Sequence, residues 1–293
     1  MAAPELNFLK GAQLERFGRP VRVIAVTGGK GGVGKTSVAI NLATALSQRN
    51  RRVLLLDGDL GLANADVLLG LSPQHTLAHV LAGERTLEEI LIAAPQGFHL
   101  LPAASGSPDL AQLGPEGHLA LVRALSALPL QLDTLIVDTA PGLNHGVLQF
   151  AQAAQHVLLV VCDEPTSLTD AYALVKVLSR KHGVRRFVVL ANQSRGEVSG
   201  AQLFERFARV TARFLDVTLE FAGQIPADEA VRRAVREQCT VLERFPASPA
   251  AQAFKKLAAA ADTWPIPQGA RGNIEFFVER LVQAGPTRPV AVS

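Results

Sequence analysis

The stretch from Val21 to Thr36, VRVIAVTGGKGGVGKT, constrains everything else in this chain. Its first half is β-branched and apolar, as in a buried strand. Its second half fits G-x-x-x-x-G-K-[ST], and Ser37 to Gln48 continues with Val38, Leu42 and Leu46 on one helical face. Strand, glycine-rich loop and helix in that order predict a phosphate loop. Glycines let the backbone turn its N–H groups toward phosphate oxygens, with the helix N-terminus behind them. Lys35 is then placed to reach the β- and γ-phosphates and the Thr36 hydroxyl to ligate Mg²⁺. The expected nucleotide-binding residues are Gly29, Lys30, Gly31, Gly32, Val33, Gly34, Lys35, Thr36 and Ser37. Lys30 is surplus to that task, because Lys35 already serves the phosphates.

Further apolar runs follow at Arg52–Asp57, Phe98–Ala103, Thr134–Asp138, Val157–Cys162, Arg186–Ala191 and Leu219–Ile225. They show little in/out alternation, as expected of a parallel sheet with helices on both faces. Helical patterns lie between them near Leu119–Leu128, Gly146–Ala154, Ser167–His182 and Gly200–Leu215. Ser167 with Asp170 three residues on predicts a capping box. The pattern predicts one α/β domain over 21–264, doubly wound, with a mainly parallel sheet of about seven to eight strands. Hydrophobic residues are 48% of the chain and aromatics only 5%, so its core is expected to be aliphatic.

Outside that domain, residues 1–20 read as an extension with Leu6, Phe8, Leu9, Leu14 and Phe17, either packed on the domain or a partner-binding arm. Residues 265–293 form a tail. Within it Ile274, Phe277, Val278, Leu281 and Val282 predict an amphipathic helix over 272–283. Its polar face carries Glu275, Glu279 and Arg280, not the basic face that anionic lipid favours. Its own domain, a partner and a membrane surface all stay open as destinations. The formal net charge of +3 does not imply nucleic acid, and Arg232, Arg233, Arg236 and Arg244 read as a solvated helix face. Cys162 and Cys239, far apart and without a CxxC, argue against a disulfide or zinc site and for a reduced, cytoplasmic setting. Neither a basic-then-apolar leader nor an apolar run of about 20 residues is present.

Two strand ends carry carboxylates. The second strand ends LLLDGDLGLAN, with Asp57 and Asp59, and the fourth ends IVDTAPG, with Asp138. Phosphoryl transfer from a nucleotide needs Mg²⁺ to neutralise phosphate charge, carboxylates to hold it, and a group to orient water. Asp138 is the expected holder of Mg²⁺-bound water, and Asp57 the support for Thr36 or the hydration shell. Asp59 is the candidate for positioning the attacking water. The expected catalytic set is Lys30, Lys35 and Asp59, and the expected metal set Thr36, Asp57 and Asp138.

With its extra lysine, GKGGVGKT resembles the deviant Walker A motif of the MinD/ParA ATPases. The resemblance runs from Val21 to about Pro246: DGDLGLAN is similar to that family's switch I and DTAPG to its switch II. It implies ATP and ADP with Mg²⁺ as cofactors, a homodimer in the ATP-bound state, and Lys30 reaching the nucleotide of the opposite subunit. By the same matching, Asn192 in LANQ and Pro226 and Asp228 in IPADEAV stand at adenine-contacting positions. LLGLSPQHTLAHVL, LLPAASG, VLLVVCDEPTSLTDAYAL, TARFLDV and IEFFVERLV resemble the family's flagellar-number branch, the FleN or FlhG type. That branch implies a slowly hydrolysing switch that restrains a FleQ-like σ54-dependent activator. It also implies cooperation with the FlhF GTPase at the cell pole. The helix from Ser167 to His182 is a candidate partner surface or an ordinary sheet-covering helix. Other readings are a ParA-type DNA-partition ATPase, against which the modest net charge argues, and a MinD-type membrane-associated septum-positioning ATPase. A third is a metabolic ligase or kinase on the same fold, for which the sequence names no substrate pocket.

Overall fold

The computed structural model describes residues 21–103, 113–195, 199–266 and 276–277. Its eight strands are β1 (Arg22–Thr27), β2 (Val53–Gly58), β3 (Ile92–Ala93), β4 (His99–Leu101), β5 (Thr134–Thr139), β6 (His156–Val161), β7 (Arg186–Ser194) and β8 (Thr218–Pro226). They form one sheet in the order β3-β4-β2-β5-β1-β6-β7-β8. Every neighbouring pair is parallel except β3 with β4. All residues of β1, β2, β5 and β6 are buried, which is why their sequences do not alternate.

The longer helices are α1 (Lys35–Ser47), α4 (Pro115–Ala127), α5 (His145–Ala153), α6 (Pro165–His182), α7 (Ser199–Phe214), α8 (Glu229–Arg236) and α10 (Pro249–Ala261). Short turns of helix among the described residues are α2 (Ala65–Leu68), α3 (Leu77–Leu81) and α9 (Val241–Arg244). On one side of the sheet, Val38, Leu42 and Leu46 of α1 pack with Phe254 and Leu257 of α10. The other side is covered by α4 and α5 over β2 and β5, and by α6 and α7 over β6 and β7. β1 lies at the centre, between β5 and β6. Where β6 has not yet begun, Gln155 Oε1 accepts the Val23 N–H at 3.2 Å and satisfies a buried donor that the ladder would leave open.

At the foot of the sheet, Asp262 gathers Arg51 Nε at 2.8 Å, Arg49 Nη2 at 3.3 Å and Arg22 Nη1 at 3.8 Å. Arg22 also donates to the carbonyls of Asp262 and Trp264, placing its charge at the C-terminal end of α10, where the helix dipole favours a cation.

Several local expectations need correction. The helix expected to begin at Ser167 starts at Pro165 with Glu164 as N-cap, because proline is suited to the first helical position. Ser167 Oγ instead accepts the Cys162 N–H at 3.0 Å, tying the helix to the end of β6. The antiparallel β3 was not foreseen; two residues carry no period. Cys162 and Cys239 are free thiols. The 1–20 extension and most of the 272–283 segment lie outside the described residues. Phe276 and Phe277 form a turn with Phe277 at φ 56°, and both are fully buried with residues of α4 and α5.

Candidate nucleotide and metal site

All the residues singled out at strand ends meet at the C-terminal edge of the sheet, where doubly wound folds bind ligands. The loop from Gly28 to Gly34 leaves β1 and enters α1, with Gly34 as N-cap at φ 90°. A Cβ there would be strained by that φ and would lie 2.5 Å from Asn192 Nδ2. The close approach serves a bond: Asn192 Nδ2 donates to the Val33 carbonyl at 2.8 Å. Beside it Gln193, itself at φ 54°, donates from Nε2 to the Gly32 carbonyl at 3.4 Å. From the other side, the Gly142 N–H donates to the Gly28 carbonyl at 3.4 Å. The phosphate loop is thus held by the end of β7 and by the loop after β5. No sequence pattern marks Gln193; its place next to Asn192 is the signal it carries.

Lys35 is buried, and its Nζ donates to the Lys30 carbonyl at 3.4 Å. Burial lowers its pKa, against the opposing fields of Asp138 and Asp59. Asp138 is buried beside Asp57, its register partner in the neighbouring strand. Burial raises the Asp138 pKa well above the ordinary carboxylate range; the Asp57 charge adds to this, and a hydrogen bond with Thr36 opposes it. Asp57 is pushed up to about 6, chiefly by burial, against hydrogen bonds from backbone amides. Its Oδ2 accepts the N–H groups of Asn64 at 2.9 Å and Ala65 at 3.0 Å, and its Oδ1 that of Asp59 at 3.2 Å. Asp57 therefore pins the loop that carries Asp59. Asp59 is half-buried, accepts the Leu62 N–H at 3.2 Å, and has its pKa raised by burial.

The fit to a divalent cation rests on one atom. Asp138 Oδ1 is buried without a hydrogen-bond partner among the described residues, on a carboxyl group that bonds Thr36 and feels the Lys35 charge. An unpaired buried carboxylate oxygen is costly, and a water on a hydrated Mg²⁺ would satisfy it. Among the described residues no cluster of three His, Cys, Asp or Glu could hold a metal alone. Mg²⁺ keeps several waters and leans on substrate phosphates and a few protein oxygens.

Lys30 is directed elsewhere. Its ammonium bonds Glu164 Oε2 at 2.7 Å and Thr166 Oγ1 at 3.0 Å, at the start of α6. The hydrogen bond it donates to Glu164 raises its pKa. At the expected base-contact positions, Pro226 pairs with Ser194 at the end of β8. Asp228 spends Oδ1 on the Ala230 N–H at 2.8 Å and Oδ2 on the Ala250 N–H at 3.1 Å, joining α8 to α10. Among the described residues no helix is long and apolar enough to cross a membrane.

The profile of the CobQ/CobB/MinD/ParA nucleotide binding domain matches residues 24–241. The chain is 56% identical over 264 residues to the antiactivator FleN of Pseudomonas aeruginosa, covering 90% of this chain and 94% of that protein. It is 33% identical over 219 residues to the flagellum site-determining protein YlxH of Helicobacter pylori, covering 74% of each. Among solved structures, the septum site-determining protein MinD of Pyrococcus horikoshii, complexed with Mg-ADP, superposes with a TM-score of 0.70. The two are 29% identical, and the match covers 83% of this chain and 97% of that one.

Proposed function

The chain belongs to the CobQ/CobB/MinD/ParA nucleotide-binding family and is an ATPase with ATP, ADP and Mg²⁺ as cofactors, and we propose that it works as a dimerisation switch regulating flagellar number and placement. The observation that carries the switch is the direction of Lys30, which bonds Glu164 and Thr166 while Lys35 alone turns into the phosphate loop. A lysine set on the surface beside a complete phosphate site is available to a second subunit's nucleotide.

When bound, Mg²⁺ would neutralise the charge that develops on the phosphates. The chain's own residues supply the rest. Thr36 would ligate the metal and Asp138 would hold one of its waters. Asp57 fixes the 59–65 loop by its backbone bonds, so that Asp59 orients the attacking water. The Asn192 amide, held against Val33, reports base occupancy to the phosphate loop. Asp228 is held by the Ala230 and Ala250 N–H groups beside the Pro226–Asp228 turn, where a base contact is proposed. ATP closes the dimer with Lys30 in trans, and slow hydrolysis returns the monomer.

The antiactivator character of the Pseudomonas relative supports restraint of an activator, a FleQ-like σ54-dependent protein, as the output. FlhF at the cell pole is a further proposed partner. Capture on immobilised Asp59→Ala protein loaded with Mg·ATP tests this. The expected catch from cell extract is a σ54-dependent activator, absent when ADP replaces ATP. Capture of DNA or of lipid vesicles with no activator would replace this output by a partition or septum-positioning one.

A further inference from the structure

Gly58 stands between Asp57 and Asp59, closely packed by β5 and by one ring of α5. A Cβ on it would lie 2.7 Å from the Asp138 carbonyl oxygen, 3.2 Å from Val137 Cγ1 and 3.3 Å from Phe150 Cδ2. Phe150, on α5, is fully buried. Its outer face carries Phe276, with ring centroids 6.4 Å apart and planes 18° from parallel. His118 of α4 closes the side of the ring edge-on at 5.4 Å. The stack thus runs from the tail, through α5, to the backbone that links the two carboxylates.

Phe276 is anchored where it sits. Its N–H donates to the Ala153 carbonyl at 3.2 Å, at the end of α5, and the Phe277 N–H donates to Ser126 Oγ at 2.9 Å, on α4. Leu60 and Ala63, from the loop that Asp57 pins, belong to the same buried cluster as Phe150, Phe276 and Phe277. The tail therefore shares a core with the loop carrying Asp59, and not with the Gly29–Lys35 phosphate loop, whose Val33 belongs to the cluster across the sheet. Packed interiors transmit displacement because they have little free volume.

We infer that Phe276 is a positioning residue for Asp57 and Asp59, acting through the ring of Phe150 on Gly58. The inference rests on hydrolysis at this site with Asp59 in the water-orienting role. Removal of the Phe276 ring lets Phe150 relax outward and Gly58 follow, so Asp59 loses its position while the phosphate loop keeps its own. The effect falls on kcat and leaves KM for ATP nearly unchanged. The contact works in both directions: a nucleotide state that shifts Gly58 also shifts the docking of Phe276.

The test is steady-state ATP hydrolysis by full-length Phe276→Ala, Phe276→Leu, Phe150→Leu and the Phe150→Leu/Phe276→Leu double variant. Substrate titrations separate kcat from KM, and thermal melts give the folded fraction. Displacements of this kind cost up to about 10²-fold in rate, and a partial one is expected to lower kcat about tenfold in Phe276→Ala. Phe276→Leu recovers part of that loss, and the double variant is no worse than Phe150→Leu alone, because both act through one ring. The leucine variants keep apolar volume and stay folded if Phe276→Ala does not. Hydrogen exchange at the Phe276 and Phe277 amides supplies an independent reading, expected to differ between ADP and a non-hydrolysable ATP analogue. Wild-type turnover tests the ATPase reading itself. An active wild type, with folded Phe276 variants at the same kcat, overturns the inference however much the melting temperature falls. Amide exchange identical in the two nucleotide states overturns its reciprocal half.

Discussion

Lys30 Nζ lies 2.7 Å from Glu164 Oε2 within its own chain. Both side chains are substantially exposed, so the contact is a light restraint that a competing anion can replace. It holds the ammonium away from the nearby Lys35 and beside the first turn of α6.

Freeing that ammonium should favour the dimer. Glu164→Gln removes the charge and keeps the shape. We expect the Mg·ATP-dependent dimer to form at a lower protein concentration, by no more than about fivefold, as befits an exposed pair. Sedimentation velocity with a non-hydrolysable ATP analogue checks this. A weaker dimer would mean that Glu164 is an interface residue in its own right.

The carboxylate pair predicts a pH signature in the nucleotide- and Mg²⁺-free chain. Asp57 titrates near 6 when folded, against an ordinary value of 3.8. The folded chain binds that proton more tightly, so this contribution is most favourable below the ordinary carboxylate range and is lost as pH rises through about 6. Relative to Asp57→Asn, the wild type should lose up to about 3 kcal/mol of unfolding free energy between about pH 4 and about pH 7. Urea denaturation at the two pH values measures it. A difference between the two proteins that does not change with pH would contradict the assignment.

The arginines at the foot of the sheet depend on one acid. Asp262→Ala would leave Arg22, Arg49 and Arg51 facing one another, with Arg22 nearly buried. The loss should be about 1–3 kcal/mol, between the exposed and buried limits for an ion pair. Because Arg51 and its neighbours hold the Asp262 pKa down, that stability is present above the ordinary carboxylate range and disappears as pH falls below it. Denaturant melts at neutral and acid pH should show the gap between variant and wild type closing.

Most of the architecture was legible because the strands are buried on both faces and announce themselves as unbroken apolar runs. The turn from β1 into α1 was legible for a stronger reason: its glycines mark a backbone that other residues adopt with strain, with Gly32 at φ 81° and Gly34 at φ 90°. Less accessible were features fixed by contacts between distant segments. Asp57 could be placed at a strand end, yet its spending of both oxygens on the 59–65 backbone depends on how that loop folds. The Ser167 hydroxyl read as a helix cap, but Pro165 set the start and released the hydroxyl to Cys162. Gln193 carries no motif, and its bond to Gly32 exists only because β7 ends beside the phosphate loop. In the tail, Phe277 was read as one point of a helical period. The stack of Phe276 on Phe150 lies outside any local period.

The central claim is that Lys30 completes the site of a second subunit, and mixing two inactive variants tests it most directly. Lys30→Ala keeps its own Asp59 but offers no lysine, whereas Asp59→Ala offers Lys30 but cannot orient water. Each alone should hydrolyse ATP poorly. In an equimolar mixture the heterodimer contains one complete site, with Asp59 from one chain and Lys30 from the other. ATP turnover should then rise well above the sum of the two separate rates, to about a quarter of the wild-type value, as expected for a charge supplied in trans. A mixture no more active than that sum, under conditions where the two variants associate, would place Lys30 in its own subunit's site and contradict the account.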